Sequence, residues 1–222
     1  MTKTKHIHTG PAPHRQQLPA VTIDAVLRPQ TLGEYLAYGI SQLGSPPMMS
    51  LFALIAAVVS LTWAAVWMWS GIYVLAMLVP LAFLIWQLHN GHITDIDIHL
   101  REQRQSSQLV TIASCAIAWL AMWLGDAPPI LTLMTGVAFV QWLVLYVITL
   151  RWKISIHTTS AAGATLIILR AVGIAAAPLV ITIPLIVWSR VKLRRHTLAQ
   201  AIAGVLLGSG VVIGALLLTP AL

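Results

Sequence analysis

The chain has 222 residues, of which 58% are hydrophobic and 9% charged. That balance excludes a soluble domain of ordinary composition, and the recurring long apolar runs identify a polytopic membrane protein. The net charge of +7 does not point to nucleic acid, because the cations are confined to the N-terminus and loops, where orientation in a membrane requires them.

Residues 1–47 form a polar N-terminal segment and residues 48–222 the membrane domain. Residues 1–30 carry Lys3, Lys5, Arg15, Arg28, three histidines and four prolines, and read as a disordered, solvated tail. His6, His8 and His14 have metal-ligand chemistry, but their surroundings favour the solvated tail. No signal peptide is expected, because residues 1–47 lack an apolar core followed by a small-residue cleavage site. Residues 31–46 are expected to form a short interfacial helix with Leu32, Tyr35, Leu36 and Ile40 on one side.

Seven apolar spans follow, at residues 49–68, 71–89, 107–125, 128–150, 158–174, 176–189 and 197–218. The fold expected is therefore an all-α bundle of about seven transmembrane helices. A bilayer core needs about twenty helical residues, so the fifth and sixth spans are short. They read equally well as one hairpin broken near Ala175–Pro178. The single cysteine, Cys115, falls inside an apolar run, so no internal disulfide is possible.

Of the thirteen Lys and Arg residues, all but Arg170 lie in the N-terminal tail or the loops at 90–106, 151–157 and 189–196. Seven spans place these regions on one side, which the positive-inside rule makes cytoplasmic. Arg170, near the far end of its span, reaches the opposite interface by snorkelling. All eight histidines share the loaded side as well. Topology demands cations there, not histidines, so the excess points to a site.

Three loops supply the candidates. The first, at 90–106, holds Arg101 and Arg104, which share a face if residues 100–105 are helical. The second, at 151–160, holds Lys153, Ser155 and His157, with Thr158, Thr159 and Ser160 as N-cap candidates for the helix that follows. The third runs from Ser189 to Gln200. Arg190 and His196 lie six apart, and Gln200 is one turn past His196 if a helix begins near Thr197. A guanidinium grips phosphate oxygens bidentately, and an imidazole can attack phosphorus.

These motifs resemble the type 2 phosphatidic acid phosphatase superfamily. Ser189, Arg190 and His196 match its Ser-Arg-x5-His-x3-Asp motif, with Gln200 in the aspartate position. Ile154-Ser155-Ile156-His157 echoes its Pro-Ser-Gly-His motif. An out-and-back helix pair separates the two, and the resemblance covers roughly residues 90–218. The family's Lys-x6-Arg-Pro motif is absent, with Asp97 seven residues before Arg104 and Gln105 in place of proline.

The resemblance implies a six-helix phosphatidic acid phosphatase-like core. It implies that His196 attacks phosphorus and becomes a phosphohistidine, and that His157 protonates the departing oxygen. Arg190 and Ser155 would hold the phosphoryl oxygens, with Lys153, Arg101 and Arg104 adding charge. The implied activity is hydrolysis of a lipid phosphate or prenyl diphosphate, for which no metal is needed. Gln200 would orient His196 but brings no charge to the imidazolium. An inactive, lipid-binding member of the family is a second reading. A third is a magnesium-dependent prenyl- or phosphatidyltransferase built on Asp95 and Asp97, with His89, His92 and His99 beside them.

Overall fold

The computed structural model describes residues 29–61, 66–93, 98, 100 and 103–219. The expected tail with His6, His8 and His14 lies outside the described residues. So do Asp95, Asp97, His99 and Arg101.

The described residues hold helices and no strands. In chain order they are α1 (Leu32–Leu43), α2 (Pro46–Val59), α3 (Val66–His89), α4 (Arg104–Leu124), α5 (Pro129–Thr149), α6 (Ile156–Val172), a 3-10 segment (Gly173–Ile181), α7 (Thr182–Lys192) and α8 (Leu198–Leu218). Among them are five helical runs long and apolar enough to cross a membrane, six if α1 and α2, bent by 50° to each other, count as one. Within that count residues Ile156–Lys192 are a single run. The run is nonetheless folded back on itself, because His157 at its start and Arg190 near its end line the same cavity. Counting its legs separately restores seven, but they are 17 and 11 residues long, short of the about twenty a bilayer core needs.

The first span departs from its expected limits of 49–68. Helix α2 ends at Val59, and Trp67 and Met68 belong to α3. Pro46 and Pro47 open α2, where a missing N–H costs nothing. Helix α1 is present as expected, started by a capping box between Thr31 and Glu34. Leu32, Tyr35 and Leu36 are exposed, while Ala37 and Ser41 are buried, against α7.

The hairpin turns at Gly173, whose φ of 74° and ψ of −157° are open to glycine and strained for any other residue. Helix α6 is the centre of the bundle, packed between α2 and α8. Gly204 and Gly208 of α8 make the α6–α8 approach possible. A Cβ on Gly204 would strike the Thr158 hydroxyl and the Ser155 carbonyl, and one on Gly208 the Thr159 carbonyl. Small residues four apart are what lets helix backbones touch in a membrane. Thr158 Oγ1 donates across this joint to the Ala201 carbonyl at 2.9 Å, and Gln141 Nε2 of α5 donates to the Gly208 carbonyl at 3.1 Å.

Helices α3, α4 and α5 form the other side. Gln87 of α3 donates to Ser106 Oγ at 2.7 Å and accepts from Ser107 Oγ at 2.5 Å. Gln108 of α4 donates to Thr149 Oγ1 of α5 at 3.2 Å. These polar pins, all at the same end, set the register of helices whose apolar surfaces carry little register information.

Candidate active site

The turn from α7 to α8 is set by local rules. Helix α7 ends with the Arg195 N–H donating to the Arg190 carbonyl at 3.0 Å and the Arg194 N–H to the Val191 carbonyl at 2.9 Å. Arg194 between them is left-handed, with φ of 55°. This is a Schellman closure with arginine where glycine is usual. The His196 N–H also reaches the Arg190 carbonyl, at 3.3 Å. The spacing of six between Arg190 and His196 is thus the span of one helix stop. Helix α8 then starts at once from Thr197, through a capping box with Gln200.

That capping box decides the chemistry of His196. Gln200 Oε1 accepts the Thr197 N–H at 3.2 Å. A backbone N–H can only donate, so the amide must present its oxygen there. The same oxygen lies 3.2 Å from His196 Nδ1. Nδ1 therefore carries the ring proton, and Nε2 keeps its lone pair. Burial first, then the charges of Arg104, Arg190 and Lys153, push the imidazole from its usual 6.5 down to about 2, against the raising effect of the Gln200 bond. His196 is a neutral imidazole set in a field of cations.

His157 stands in the first turn of α6, where free backbone N–H groups favour an anion. It lines a cavity of about 450 Å³ together with Arg104, Arg190 and His196. All four side chains are buried. The three sequence-distant loops thus meet, through Ile98 and Arg104, Ile156 and His157, and Arg190 and His196.

Arg190 Nη1 donates to Ser41 Oγ of α1 at 2.6 Å, a buried bond that links residues 149 apart. Arg104 is anchored by backbone. Its Nε donates to the Ile98 carbonyl at 2.9 Å and its Nη1 to the Ile154 carbonyl at 3.2 Å. It ties the first loop to the second while its charge faces the cavity.

Two local expectations, the N-cap of α6 and a helix over residues 100–105, need correction. The N-cap of α6 is Ser155, whose Oγ accepts the Thr158 N–H at 3.4 Å. Thr158 and Thr159 instead turn their hydroxyls back on the Ser155 carbonyl. Ser155 is wholly buried, its N–H donates to the Gln200 carbonyl, and it does not line the cavity. It holds the α6–α8 joint, because an extended residue capping a helix turns its side chain along that helix. Lys153 does not line the cavity either, and acts on His196 through its charge. Residues 100–105 are not a helix throughout, since α4 begins at Arg104 after Gln103 in 3-10 geometry. Among the described residues no cluster of three His, Cys, Asp or Glu side chains could hold a metal ion. His92 lies against Trp86 with the rings tilted by 53° and their centroids 5.3 Å apart.

Sequence reasoning missed two participants. Thr197 was legible, because Thr-Leu-Ala-Gln spells a capping box. Ser41 was not, because nothing local marks a serine in α1 as the neighbour of an arginine in α7.

No protein-family model matches the chain, and neither a curated protein nor a solved structure does.

Proposed function

We propose that this protein is a membrane phosphatase that hydrolyses a lipid phosphate through a phosphohistidine on His196, as a divergent member of the type 2 phosphatidic acid phosphatase superfamily. The observation that carries this reading is the pairing of a tautomer-fixed neutral imidazole with buried guanidinium groups in one cavity. A neutral nitrogen nucleophile and an anion cradle are the two things phosphoryl transfer asks of a protein.

In the first step His196 Nε2 forms a bond to phosphorus while the bond from phosphorus to the lipid oxygen breaks. His157 gives that oxygen a proton, so the lipid leaves as a neutral alcohol. The positive charge on His196 is eased by the Nδ1–H bond to Gln200 Oε1. In the second step His157, now neutral, takes a proton from water. The water oxygen bonds to phosphorus, the nitrogen–phosphorus bond breaks, and His196 regains its lone pair. Arg190 and Arg104 balance the phosphoryl charge in both steps. The cationic end of the bundle faces the cytoplasm under the positive-inside rule.

The test is phosphate release by the purified protein from a panel of lipid phosphates and prenyl diphosphates, with and without EDTA. Release that survives EDTA and disappears in His196→Ala supports the reading. Release lost to EDTA but kept in His196→Ala would move the chemistry to Asp95 and Asp97. Lipid binding with no release by the wild type would leave a non-catalytic member of the family.

A further inference from the structure

The cavity that holds His157, Arg190 and His196 does not stop at the polar end of the bundle. It runs on between α2, α3, α4 and α5 to Tyr73, Cys115 and Thr135. Gln87 marks the polar end of α3 through its bonds to Ser106 and Ser107. Tyr73 lies about 21 Å further along that helix at the α-helical rise. Among the described residues, Arg104 and Arg190 are the only lysine or arginine side chains on its wall, both at the upper end, and none of the described lining residues is acidic.

The residues at the floor ask for no polar ligand atom. Tyr73 and Thr135 are buried. Thr135 Oγ1 is already bonded to the Leu131 and Thr132 carbonyls of its own helix, both at 3.1 Å. Leu81, Met77, Ala138 and Trp142 form the sides. At the liquid-water share of about 30 Å³ per heavy atom, the 450 Å³ of the cavity hold roughly fifteen such atoms, or a phosphoryl group and about ten carbons. A two-chain phosphatidic acid needs several times that volume.

We infer that the cavity below His196 is a tail-binding subsite for a single-chain phosphate, an alkyl or isoprenoid monoester of roughly ten carbons whose far end rests on Tyr73, Cys115 and Thr135. Resting on the phosphatase reading for its head group, the inference adds a chain count and a length limit. A longer chain has to leave the cavity or lift its phosphate away from His196. A second chain has no room beside the first. In a bilayer the tail gains little by exchanging lipid for this apolar wall, so the subsite selects by exclusion and not by affinity per carbon.

The test reads binding without turnover. The protein in nanodiscs is loaded with radiolabelled decylphosphonate and competed with unlabelled alkylphosphonates from butyl to hexadecyl, with geranylphosphonate and with a diacyl phosphatidate. All are compared at equal mole fraction in the bilayer, which cancels partitioning. Competition should hold up to about decyl and weaken at least tenfold for hexadecyl and for the diacyl lipid. Geranylphosphonate competing more strongly than decyl would assign an isoprenoid tail, and the reverse an alkyl one. Ala138→Trp should move the cut-off to shorter chains. Tyr73→Ala, which deepens the floor, should move it to longer ones, a gain that a misfolded protein cannot show. Equal competition by decyl, hexadecyl and diacyl compounds would overturn the inference, as would no retention of decylphosphonate or an unmoved cut-off in folded Tyr73→Ala. A cut-off in binding without phosphate release from any single-chain monoester would remove the phosphatase reading and leave the subsite. Phosphate release without a cut-off would do the opposite.

Discussion

Gln200 Oε1 stands 3.2 Å from His196 Nδ1 and 3.2 Å from the Thr197 N–H, so one carbonyl oxygen both starts α8 and fixes the histidine tautomer. An aspartate at this position would bring charge but has a side chain one carbon shorter. Glutamate keeps the reach and the capping box, and adds the charge. Gln200→Glu should therefore raise the initial rate of phosphate release by at least tenfold, by stabilising the imidazolium of the first step. Gln200→Ala should lower it by about as much, and should lose about 1 kcal/mol of stability with the cap. Matched initial rates and thermal midpoints would check both. An unchanged rate in Gln200→Ala would remove Gln200 from the chemistry.

The pH dependence follows from the depression of His196 to about 2. The unfolded chain takes up a proton on this residue near 6.5, while the folded one stays neutral down to about 2. Below about pH 6.5 the unfolded state binds more protons, so stability falls as the pH drops. Thermal midpoints from pH 7.5 to 4.5 should fall more steeply for the wild type than for His196→Gln. The acid limb of kcat/KM should not reflect His196 in the wild type, whereas in Gln200→Glu the added carboxylate should raise its pKa and bring that limb upward.

Ser41 of α1 holds Arg190 of α7 from 149 residues away in the chain. A hydrogen bond to a charged group contributes about 1.5–3 kcal/mol, so Ser41→Ala should destabilise by up to that amount. With the guanidinium less constrained, KM should rise severalfold and kcat should fall with it, whereas a merely structural loss would leave both unchanged in the surviving folded protein. Ser41→Thr, which keeps the hydroxyl, should recover most of the activity. Arg190→Lys should cost more than Ser41→Ala, because an ammonium cannot bind serine and phosphate through one planar fork.

The joint between α6 and α8 carries His157 relative to His196. Gly208→Ala places a methyl group against the Thr159 carbonyl and should destabilise by about 1–3 kcal/mol. It should also reduce turnover by moving one histidine from the other. Gly214 has open space around it, so Gly214→Ala should be neutral or stabilising by up to about 1 kcal/mol. Arg194 supplies the reverse case. Its left-handed φ of 55° makes Arg194→Gly favourable for the backbone by about 1 kcal/mol, visible as a higher midpoint with activity retained.

Orientation can be read with single cysteines in a Cys115→Ala background. Lys192→Cys should be shielded from an impermeant thiol reagent in intact cells, and Asp126→Cys should react. The opposite pattern would put the cationic end, and the site, on the outer face.

Most of what was legible in the sequence is local in the chain. The apolar runs announced membrane helices because a bilayer leaves backbone groups no partner outside a helix. The turn from Arg190 to Gln200 was readable because its cations, histidine and polar residues interrupt two apolar runs.

The expected N-cap at Thr158, Thr159 or Ser160 failed for a different reason. Ser155, Thr158, Thr159 and Ser160 all carry the same chemistry, and which one caps depends on where α8 meets the chain. Ser155, expected to hold phosphate, caps α6 and donates its N–H to the Gln200 carbonyl at the α6–α8 joint. Arg104 was expected to bind phosphate, and its guanidinium also fastens two loops through the Ile98 and Ile154 carbonyls.

By itself the sequence determined that this is a helical membrane protein, that its cations other than Arg170 lie in the N-terminal segment and three loops, and that Arg190, His196 and Gln200 are close along the chain. Only the tertiary structure decided that Ser41 meets Arg190, that His157 shares a cavity with His196, and that this cavity runs on to Tyr73 and Thr135. The physical reason is the solvent. In water a helix reveals its buried face as an apolar stripe, but a helix apolar on every side gives no such sign. Which faces meet is then set by small residues, a few buried hydrogen bonds and shape, and those partners are chosen across the bundle and not along the chain.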